Sequence, residues 1–388
     1  MPTLTLLSNG HGEDAVGALL ARTLLRERPT LNLQAFPLVG RGSVYEETGI
    51  PVLGPRRALP SGGLLMHSPQ LLWQDVRAGF LPMTLQQLRD LRRLRTDVLV
   101  GVGDVYALLL ASVPRARARY QVQTLVSARH GGGTFQLNRY FMERVSYPER
   151  ALMRWLLTHV YVRDEATAAW LRTKGLTHVS ALGNPMLDAL RGRALPQHAH
   201  HTPCAALLPG TRRYAADALT LMLSALAQSP TVTGLVAWAG GTLPPPPAPW
   251  TRCDAPPGSA AGLVATFKHK QQRAYVYEGR FADVLHSAQL VLGTSGTANE
   301  QAAALGRPVV SFPVPPLYTR AFLENQKRLL GAALSLSEPH SAAIARTLSG
   351  LLDDAESLTG AAEEGVARMG KPGGAEAIVR DILARSGL

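Results

Sequence analysis

The chain has 388 residues, of which 46% are hydrophobic and 18% charged, with a formal net charge of +12, and this composition fits a globular protein of two or three domains. No apolar run approaches the roughly 20 residues of a membrane span, and residues 1–14 lack the basic and then apolar pattern of a signal peptide, so we expect a cytoplasmic protein. Nucleic acid is not expected as a partner, because no basic motif is interleaved with aromatic residues.

The first half of the chain alternates predicted strands and helices. A strand at Thr3–Leu7 leads through a Gly-rich loop into a helix from about Glu13 to Arg28. Asp164 is a candidate N-cap for a later helix that ends near Lys174. Further strands are predicted at Leu33–Phe36, Val98–Val102, Tyr120–Leu125 and His159–Val162. Such alternation is typical of parallel sheets with helices on both faces.

The segment Leu59–Arg95 departs from this alternation. It contains exposed-looking aromatic residues, Trp73 and Phe80, ahead of a helix in which leucines recur every third residue at 85, 88, 91 and 94. Arginines lie between the leucines, at Arg89, Arg92, Arg93 and Arg95. Residues 1–190 as a whole hold 22 Lys and Arg against 14 Asp and Glu. Either this basic, amphipathic stretch lies on an anionic membrane, or it covers the sheet with its arginines in solvent.

The second half repeats the alternation after a linker. Residues 191–203 are the predicted linker, and the spacing of His198, His200 and His201 in a polar run favours a solvated segment over a metal site. Cys204 begins the next strand, and Cys204 and Cys253 show neither metal-ligand spacing nor a reason to pair in a reducing compartment. Later strands are predicted at Gly234–Ala239, Ala274–Tyr277, Leu290–Leu292 and Val309–Phe312.

The stretch Leu290–Phe312 carries the clearest functional pattern. It is predicted to form a strand, a turn of small residues at Gly293–Thr297, a helix at Ala298–Leu305 and a second strand. Backbone N–H groups and hydroxyls at such a helix start can bind a diphosphate. Glu300, one helical turn further on, could accept both hydroxyls of a ribose. The alternative is an ordinary Gly-rich turn of a parallel α/β protein.

Five motifs together resemble a known family. They are SNGHGEDAVGALLA at 8–21, DVLVGVGDVY at 97–106, ALGNPMLDAL at 181–190, LLPGTRR at 207–213 and GTSGTANEQAAALGRPVV at 293–310. In order and spacing the chain resembles lipid A disaccharide synthase and its related proteins, a branch of the GT-B glycosyltransferases. Two departures, NGHGED where that family typically reads GEASGD and the lack of its Pro-Asn segment in 317–330, favour a related subgroup with a different acceptor.

The resemblance implies an α/β protein of GT-B class, with two Rossmann-like domains whose parallel sheets face a central cleft. Residues 1–190 would bind the acceptor and face the membrane, residues 204–370 would bind the nucleotide sugar, and residues 371–388 would form a helix that packs back on the N-terminal domain. The implied activity is transfer of a hexosyl group from a UDP-sugar to a lipid-linked acceptor, inverting, with no metal and no cofactor. The implied place is the inner face of the plasma membrane.

The resemblance also assigns residues to the donor. Arg212 would neutralise charge on the leaving diphosphate, Glu300 would bind the ribose, and Gln326 would touch the donor sugar. The full set of donor residues is Pro209, Gly210, Thr211, Arg212, Gly293, Thr294, Ser295, Gly296, Thr297, Glu300, Gln301 and Gln326. Trp73, Phe80, Arg89, Arg92 and Arg93 would form the acceptor and membrane surface.

The acceptor hydroxyl needs a base, and two residues at predicted strand ends are candidates. These are His11 and Asp104, with Asp104 acting either as the base or as the partner that orients His11. Glu13 and Asp14 are expected to stabilise the helix N-terminus. Two alternatives share the donor site: a sugar-nucleotide epimerase, which needs further carboxylates, and a nucleotide-sugar-binding protein without catalysis.

Overall fold

The computed structural model describes residues 1–57, 59, 69–124, 126–130, 145–195, 203–211, 213–256, 258–315 and 318–388, without the side chains of residues 11, 69–72 and 130. The chain divides into two compact units. Unit 1 comprises Met1–Ala189 and Gly370–Leu388, and unit 2 comprises Leu190–Met369. Residues 191–195 of the predicted linker belong to unit 2, whereas its histidine run at 198–201 lies outside the described residues.

Unit 1 is a six-stranded parallel sheet covered by helices. Its strands are β1 (Thr3–Ser8), β2 (Asn32–Pro37), β3 (Arg95–Val102), β4 (Arg115–Gln123), β5 (His159–Val162) and β6 (Val179–Ser180). They lie in the order β2-β1-β3-β4-β5-β6, and every neighbouring pair is parallel. Its helices are α1 (His11–Glu27), α2 (Ser43–Glu46), α3 (Pro69–Arg77), α4 (Phe80–Arg93), α5 (Val105–Ala111), α6 (Tyr147–Leu156), α7 (Glu165–Thr173) and the C-terminal α14 (Gly374–Ser386).

Alternate residues of the central strands of unit 1 are buried on opposite faces. Leu4 and Leu6 of β1 pack with α1 and α14 on one face, where Ile378 of α14 is 1% exposed. Leu7 and Leu99 pack on the other face, with side chains from α4 and α5. A parallel sheet covered on both faces buries nearly every strand side chain, which explains the continuous apolar runs in the sequence. The C-terminal helix thus completes the core of unit 1.

Unit 2 is an eight-stranded sheet with one antiparallel edge. Its strands are β7 (Cys204–Leu208), β8 (Thr233–Trp238), β9 (Thr251–Asp254), β10 (Leu263–His269), β11 (Gln272–Glu278), β12 (Leu290–Gly293), β13 (Val309–Ser311) and β14 (Leu334–Leu336). The order is β14-β13-β12-β7-β8-β11-β10-β9, parallel except around β10. Its helices are α8 (Ala215–Leu226), α9 (Phe281–Ser287), α10 (Gly296–Ala304), α11 (Arg320–Leu330), α12 (Ser341–Asp353) and α13 (Ala355–Met369).

The two-fold α/β alternation predicted from the sequence is confirmed, with differences in detail. Helix α10 begins at Gly296 rather than Ala298, and the short strands β6 and β14 were not predicted. Strand β4 begins at Arg115 rather than Tyr120, because the alternating segment Arg115–Arg119 pairs with β3 despite its charge. Helix α1 begins at His11, two residues early. The antiparallel strands β9 and β10 were not predicted, since the Pro-rich residues before them obscure the pattern. No helix among the described residues is long and apolar enough to cross a bilayer.

Candidate functional site

In unit 2, the two predicted donor turns lie side by side. Strands β7 and β12 are parallel neighbours, so their carboxyl ends meet at one edge of the sheet. The Thr294 amide donates to the Leu208 carbonyl at 3.1 Å, and the Thr294 hydroxyl donates to the Pro209 carbonyl at 3.2 Å. The chain leaves β7 toward β8 on one side and returns to β12 on the other, so this edge is the topological switch point where open α/β sheets bind ligands.

The turn after β7 depends on a glycine. Gly210 has φ of +86°, which an L side chain adopts only with strain, and a Cβ at this position would come within 3.6 Å of Ser295. The positive φ, rather than a lack of space, therefore favours glycine at this turn. Thr211 follows with its side chain exposed, whereas Arg212 lies outside the described residues.

The turn after β12 opens helix α10 without a side-chain cap. Ser295 is the N-cap, with extended backbone, but its hydroxyl accepts no hydrogen bond from the first helical turn. The helix starts with small residues, Gly296 and Thr297, and Thr297 is exposed. Backbone N–H groups at an N-terminus that lacks a side-chain cap carry partial positive charge and suit an anionic ligand.

A buried polar network fixes this turn from below, and it was missed in the sequence. The Asn299 side-chain amide donates to Tyr318 Oη at 2.9 Å and to Gln326 Oε1 at 3.0 Å. Tyr318 Oη also donates to Gln326 Oε1 at 2.9 Å, and the Ser311 hydroxyl donates to the Gly293 carbonyl. A Cβ at Gly293 would lie 2.0 Å from Asn299 Oδ1, so only glycine fits. No short motif predicts a network drawn from four separate elements.

Gln326 has a structural role in addition to its predicted contact with the donor sugar. Its Nε2 donates to the carbonyl of Gly296 at 2.8 Å, while its Oε1 accepts from Asn299 and Tyr318. The side chain thereby connects α11 to the first residue of α10. The donor contact stays a prediction, and the structure adds that Gln326 positions the helix start.

Glu300 and Gln301 lie on α10 with partly exposed side chains. Burial raises the pKa of Tyr318 well above its usual range, and the charge of Glu300 adds to that effect, so this carboxylate lies near the polar network. Tyr214 closes the other side by donating from its hydroxyl to the Thr294 carbonyl at 2.9 Å. The carboxylate of Glu300 therefore lies near the turn.

In unit 1, the candidate catalytic residues follow β1 and β3, which are also parallel neighbours at a switch point. Asp104 Oδ1 accepts from the Asn9 side-chain amide at 2.9 Å, and this bond joins the two turns. The same oxygen caps α5 by accepting from the amides of Tyr106 and Ala107. His11 begins α1, but its side chain lies outside the described atoms.

The Asp104 carboxyl is partly buried at its sheet edge. Burial raises its pKa, and the hydrogen bonds from Ala107, Asn9 and Tyr106 oppose that rise. A raised pKa brings a carboxylate nearer to the range in which it can take a proton from a hydroxyl. All three of these hydrogen bonds go to Oδ1.

Asp14 lies inside the unit rather than on the helix surface. It is 2% exposed, and burial raises its pKa to about 7 although the Ser8 hydroxyl donates to it at 2.5 Å. Tyr45 Oη in turn donates to Ser8 Oγ at 2.8 Å. A Cβ at Gly17 would lie 1.8 Å from the Tyr45 hydroxyl, so this glycine leaves space for the hydrogen bonds that join Tyr45, Ser8 and Asp14. Asp14 therefore fixes α1 to β1 from the side of the core.

Glu149 is a further carboxyl near Asp104 that is not among the residues predicted from the sequence. It forms a capping box with Ser146 at the start of α6, is 5% exposed, and has its pKa raised to about 7 by burial and, to a lesser extent, by the Asp104 charge. The Ser-x-x-Glu spacing of 146–149 is the signal that could have revealed it. No group of three or more His, Cys, Asp or Glu in the described parts of the chain could hold a metal ion.

The predicted membrane segment forms α3 and α4, and its leucines do not form one stripe. Leu91 is fully buried against the sheet, whereas Leu85 is 59% exposed. Trp73 is 57% exposed with the Arg77 guanidinium 5.0 Å from its ring, but Phe80 packs on Tyr106 at 5.9 Å and is partly buried. Three predicted membrane arginines are exposed: Arg89, Arg92 and Arg93.

The chain is similar to known proteins in its fold but not in its sequence. No protein-family model and no curated protein sequence matches the chain. The S. aureus MnaA–UDP structure is similar with a TM-score of 0.61 at 15% identity, covering 100% of this chain and 98% of that one. CalG4, the calicheamicin glycosyltransferase, gives 0.59 at 13% identity, covering 99% of each chain. The Neisseria meningitidis UDP-GlcNAc 2-epimerase bound to UDP-GlcNAc gives 0.52 at 14%, covering 99% of this chain and 100% of that one.

These likenesses extend over both units and agree with the two α/β sheets described above. The chain therefore has the GT-B fold predicted from its sequence motifs. The similar structures include a glycosyltransferase and a nucleotide-sugar epimerase, so the fold alone is shared between two kinds of chemistry.

Proposed function

We propose that the protein is a glycosyltransferase that uses a UDP-sugar donor bound by unit 2. The observation that carries the proposal is the pair of turns at the carboxyl ends of β7 and β12, where the start of α10 has no side-chain cap. Two of the similar proteins contain UDP or UDP-GlcNAc. The switch-point position and the open amides are what a diphosphate requires.

In this proposal the donor is held by backbone and small side chains. Residues 209–211 and Gly293–Thr297 form the diphosphate site, with the phosphates at the open end of the second turn, Ser295–Thr297, because the Thr294 amide and hydroxyl already donate to the Leu208 and Pro209 carbonyls. Glu300 accepts the ribose hydroxyls, and Gln301 contacts the nucleotide. Arg212 supplies positive charge as the bond between the sugar and the diphosphate breaks, which replaces a metal ion in that role. Gln326 contacts the donor sugar and keeps the helix start in place.

Unit 1 supplies the base in this proposal. Asp104, with His11 as its partner or its replacement, accepts the proton of the acceptor hydroxyl. The acceptor oxygen then attacks the anomeric carbon, the bond to the diphosphate breaks, and UDP leaves, so a single displacement inverts the anomeric configuration. The buried surroundings of Asp104 support this role because they raise its pKa.

We propose a hexosyl donor and a lipid-linked acceptor, with unit 1 on an anionic membrane at the inner face of the plasma membrane. The exposed Trp73 and the exposed arginines Arg89, Arg92 and Arg93 support a membrane contact. Phe80 supports it less, because part of its ring packs on Tyr106.

A sugar-nucleotide epimerase is a second candidate, favoured by one specific observation. Glu149 lies close enough to Asp104 for the Asp104 charge to raise its pKa, and epimerisation needs a further carboxyl beside the base. An epimerase needs no acceptor surface, so it leaves the exposed Trp73 unexplained. A binding protein without catalysis would retain only the donor site.

Incubation with UDP-sugars and extracted lipids separates these candidates. The transferase releases UDP and forms a new glycolipid, an epimerase converts the UDP-sugar without releasing UDP, and a binding protein does neither. Omitting the lipid is the control for hydrolysis of the donor. Conversion of the sugar without UDP release would overturn the proposed activity.

A further inference from the structure

Helix α6 exposes two large aromatic side chains. Trp155 is 82% exposed and Tyr147 is 72% exposed. They are eight residues apart, so the 100° rotation per residue places both on the same side of the helix. Arg154 is exposed between them, and the Arg150 guanidinium lies 5.9 Å from the Tyr147 ring.

The inner side of the same helix is firmly anchored. Met153 is fully buried, Glu149 is 5% exposed, and the capping box fixes the first turn. The position of α6 is thus set by packing on the sheet, and the exposure of its outer aromatics follows from the sequence. Large aromatics exposed in this way mark interaction surfaces.

Neighbouring helices connect this face to the membrane surface proposed on α3 and α4. Tyr106 of α5 packs on Phe80 of α4 at 5.9 Å, and its hydroxyl is 3.2 Å from that of Thr84. Helix α5 also packs against α6. Each of these four helices carries at least one exposed large hydrophobic side chain: Trp73, Leu81, Leu85, Leu109, Tyr147 and Trp155.

The charges of this face select its partner. The charged side chains of α6 outside the core are Arg150 and Arg154, because its acidic residue, Glu149, is buried. Aromatic rings beside arginines are typical of helices in the interface of an anionic bilayer, where the rings insert and the cations meet lipid phosphates.

We infer that α6 is a third membrane-contacting helix of unit 1, with Trp155 and Tyr147 inserted among lipid headgroups and with Arg150 and Arg154 on their phosphates. The inference rests on the proposed function for its lipid partner. Three helices, α3, α4 and α6, then contact the bilayer, and this limits rotation of unit 1 on the surface more than α3 and α4 would alone.

Sedimentation of the intact protein with vesicles tests the inference. The vesicles contain phosphatidylglycerol and phosphatidylcholine in equal parts, and pure phosphatidylcholine vesicles are the reference. The double variant Tyr147→Ser, Trp155→Ser should bind the mixed vesicles roughly tenfold more weakly, because an interfacial aromatic is lost at each site. Arg150→Gln with Arg154→Gln should reduce the salt dependence of binding. Val366→Ser, which removes a 48% exposed side chain in unit 2, is the matched control and should bind as wild type.

Wild-type vesicle binding by the Tyr147 and Trp155 double variant would overturn the inference. If that double variant also forms a smaller particle than wild type in light scattering, the aromatic face of α6 joins two copies of the chain instead. Circular dichroism checks that each variant is folded. UDP titration of the same variants distinguishes the membrane role of α6 from the proposed donor site. A variant that loses vesicle binding but still binds UDP has lost the membrane contact and kept the donor site.

Discussion

A single carboxyl oxygen of Asp104 has three hydrogen-bonding duties. It caps α5 through the amides of Tyr106 and Ala107 and joins the turn after β1 through Asn9. The residue type at the strand end was predicted from the sequence, because acidic residues at such positions follow a recognisable pattern. The link to Asn9 was not, since the two residues are 95 positions apart.

Asp104→Asn should leave the fold intact and reduce turnover. Asparagine is also a good N-cap and can accept from Asn9, but it cannot take a proton from the acceptor. We expect turnover to fall by on the order of a hundredfold or more, with unchanged UDP affinity. Steady-state kinetics and a UDP titration measure the two effects. A normal rate would remove Asp104 from the mechanism and direct attention to His11 and Glu149.

Asp14 should make the stability of the fold depend on pH. Its pKa is about 7 in the folded chain against an ordinary 3.8, so folding favours the protonated form. The corresponding stability is fully present below about pH 4 and is lost as the pH rises to about 7. Asp14→Asn removes this loss, and we expect the variant to gain on the order of a few kcal/mol relative to wild type between pH 4 and pH 8.

Urea unfolding at several pH values measures this effect. Glu149 adds a similar slope in the same range, so Asp14→Asn should flatten the profile only in part. Asp217→Asn, at an exposed position on α8, is the control and should leave the profile unchanged. A profile for Asp14→Asn that runs parallel to wild type would contradict the buried environment of this carboxyl.

At the scale of elements, α10 is positioned by residues that are far from it in sequence. Its strand, turn and helix were predicted from residues 290–312 alone, because small residues at a strand end followed by an alanine-rich run are a local signal. Ser311, Tyr318 and Gln326 hold the helix start through β13 and α11. Tertiary hydrogen bonds of this kind leave no periodic trace in a sequence.

Gly293→Ala tests this arrangement. The added methyl would meet Asn299 Oδ1 at 2.0 Å within a fully buried site, so either the network or the turn must shift. We expect a loss of about 1–3 kcal/mol in the free energy of unfolding and weaker UDP binding. Gly360→Ala is the control, since no atom lies within 4 Å of the new methyl on α13, and it should stabilise by roughly 0.5–1 kcal/mol. Unchanged UDP binding by Gly293→Ala would show that the turn does not hold the donor.

At the scale of the whole molecule, the repeated alternation of strand and helix was enough to predict two α/β units. It was not enough to predict β9 and β10, which form an antiparallel edge that follows no alternation with helices. The amphipathic segment Phe80–Arg93 was predicted as a helix, but its leucine spacing did not reveal that Leu91 faces the core while Leu85 faces solvent. That assignment depends on the sheet beneath the helix.

Calorimetric titration of the intact chain with UDP tests most directly the central claim that unit 2 holds the donor site. Wild type should bind UDP, and Glu300→Ala should weaken binding by roughly 1.5–3 kcal/mol, the cost of a lost hydrogen bond to a charged group. Glu363→Ala, which removes an exposed carboxylate on α13, should bind as wild type. If the wild-type chain does not bind UDP, or if Glu300→Ala binds it as well as wild type does, the assignment of the donor site in unit 2 is wrong.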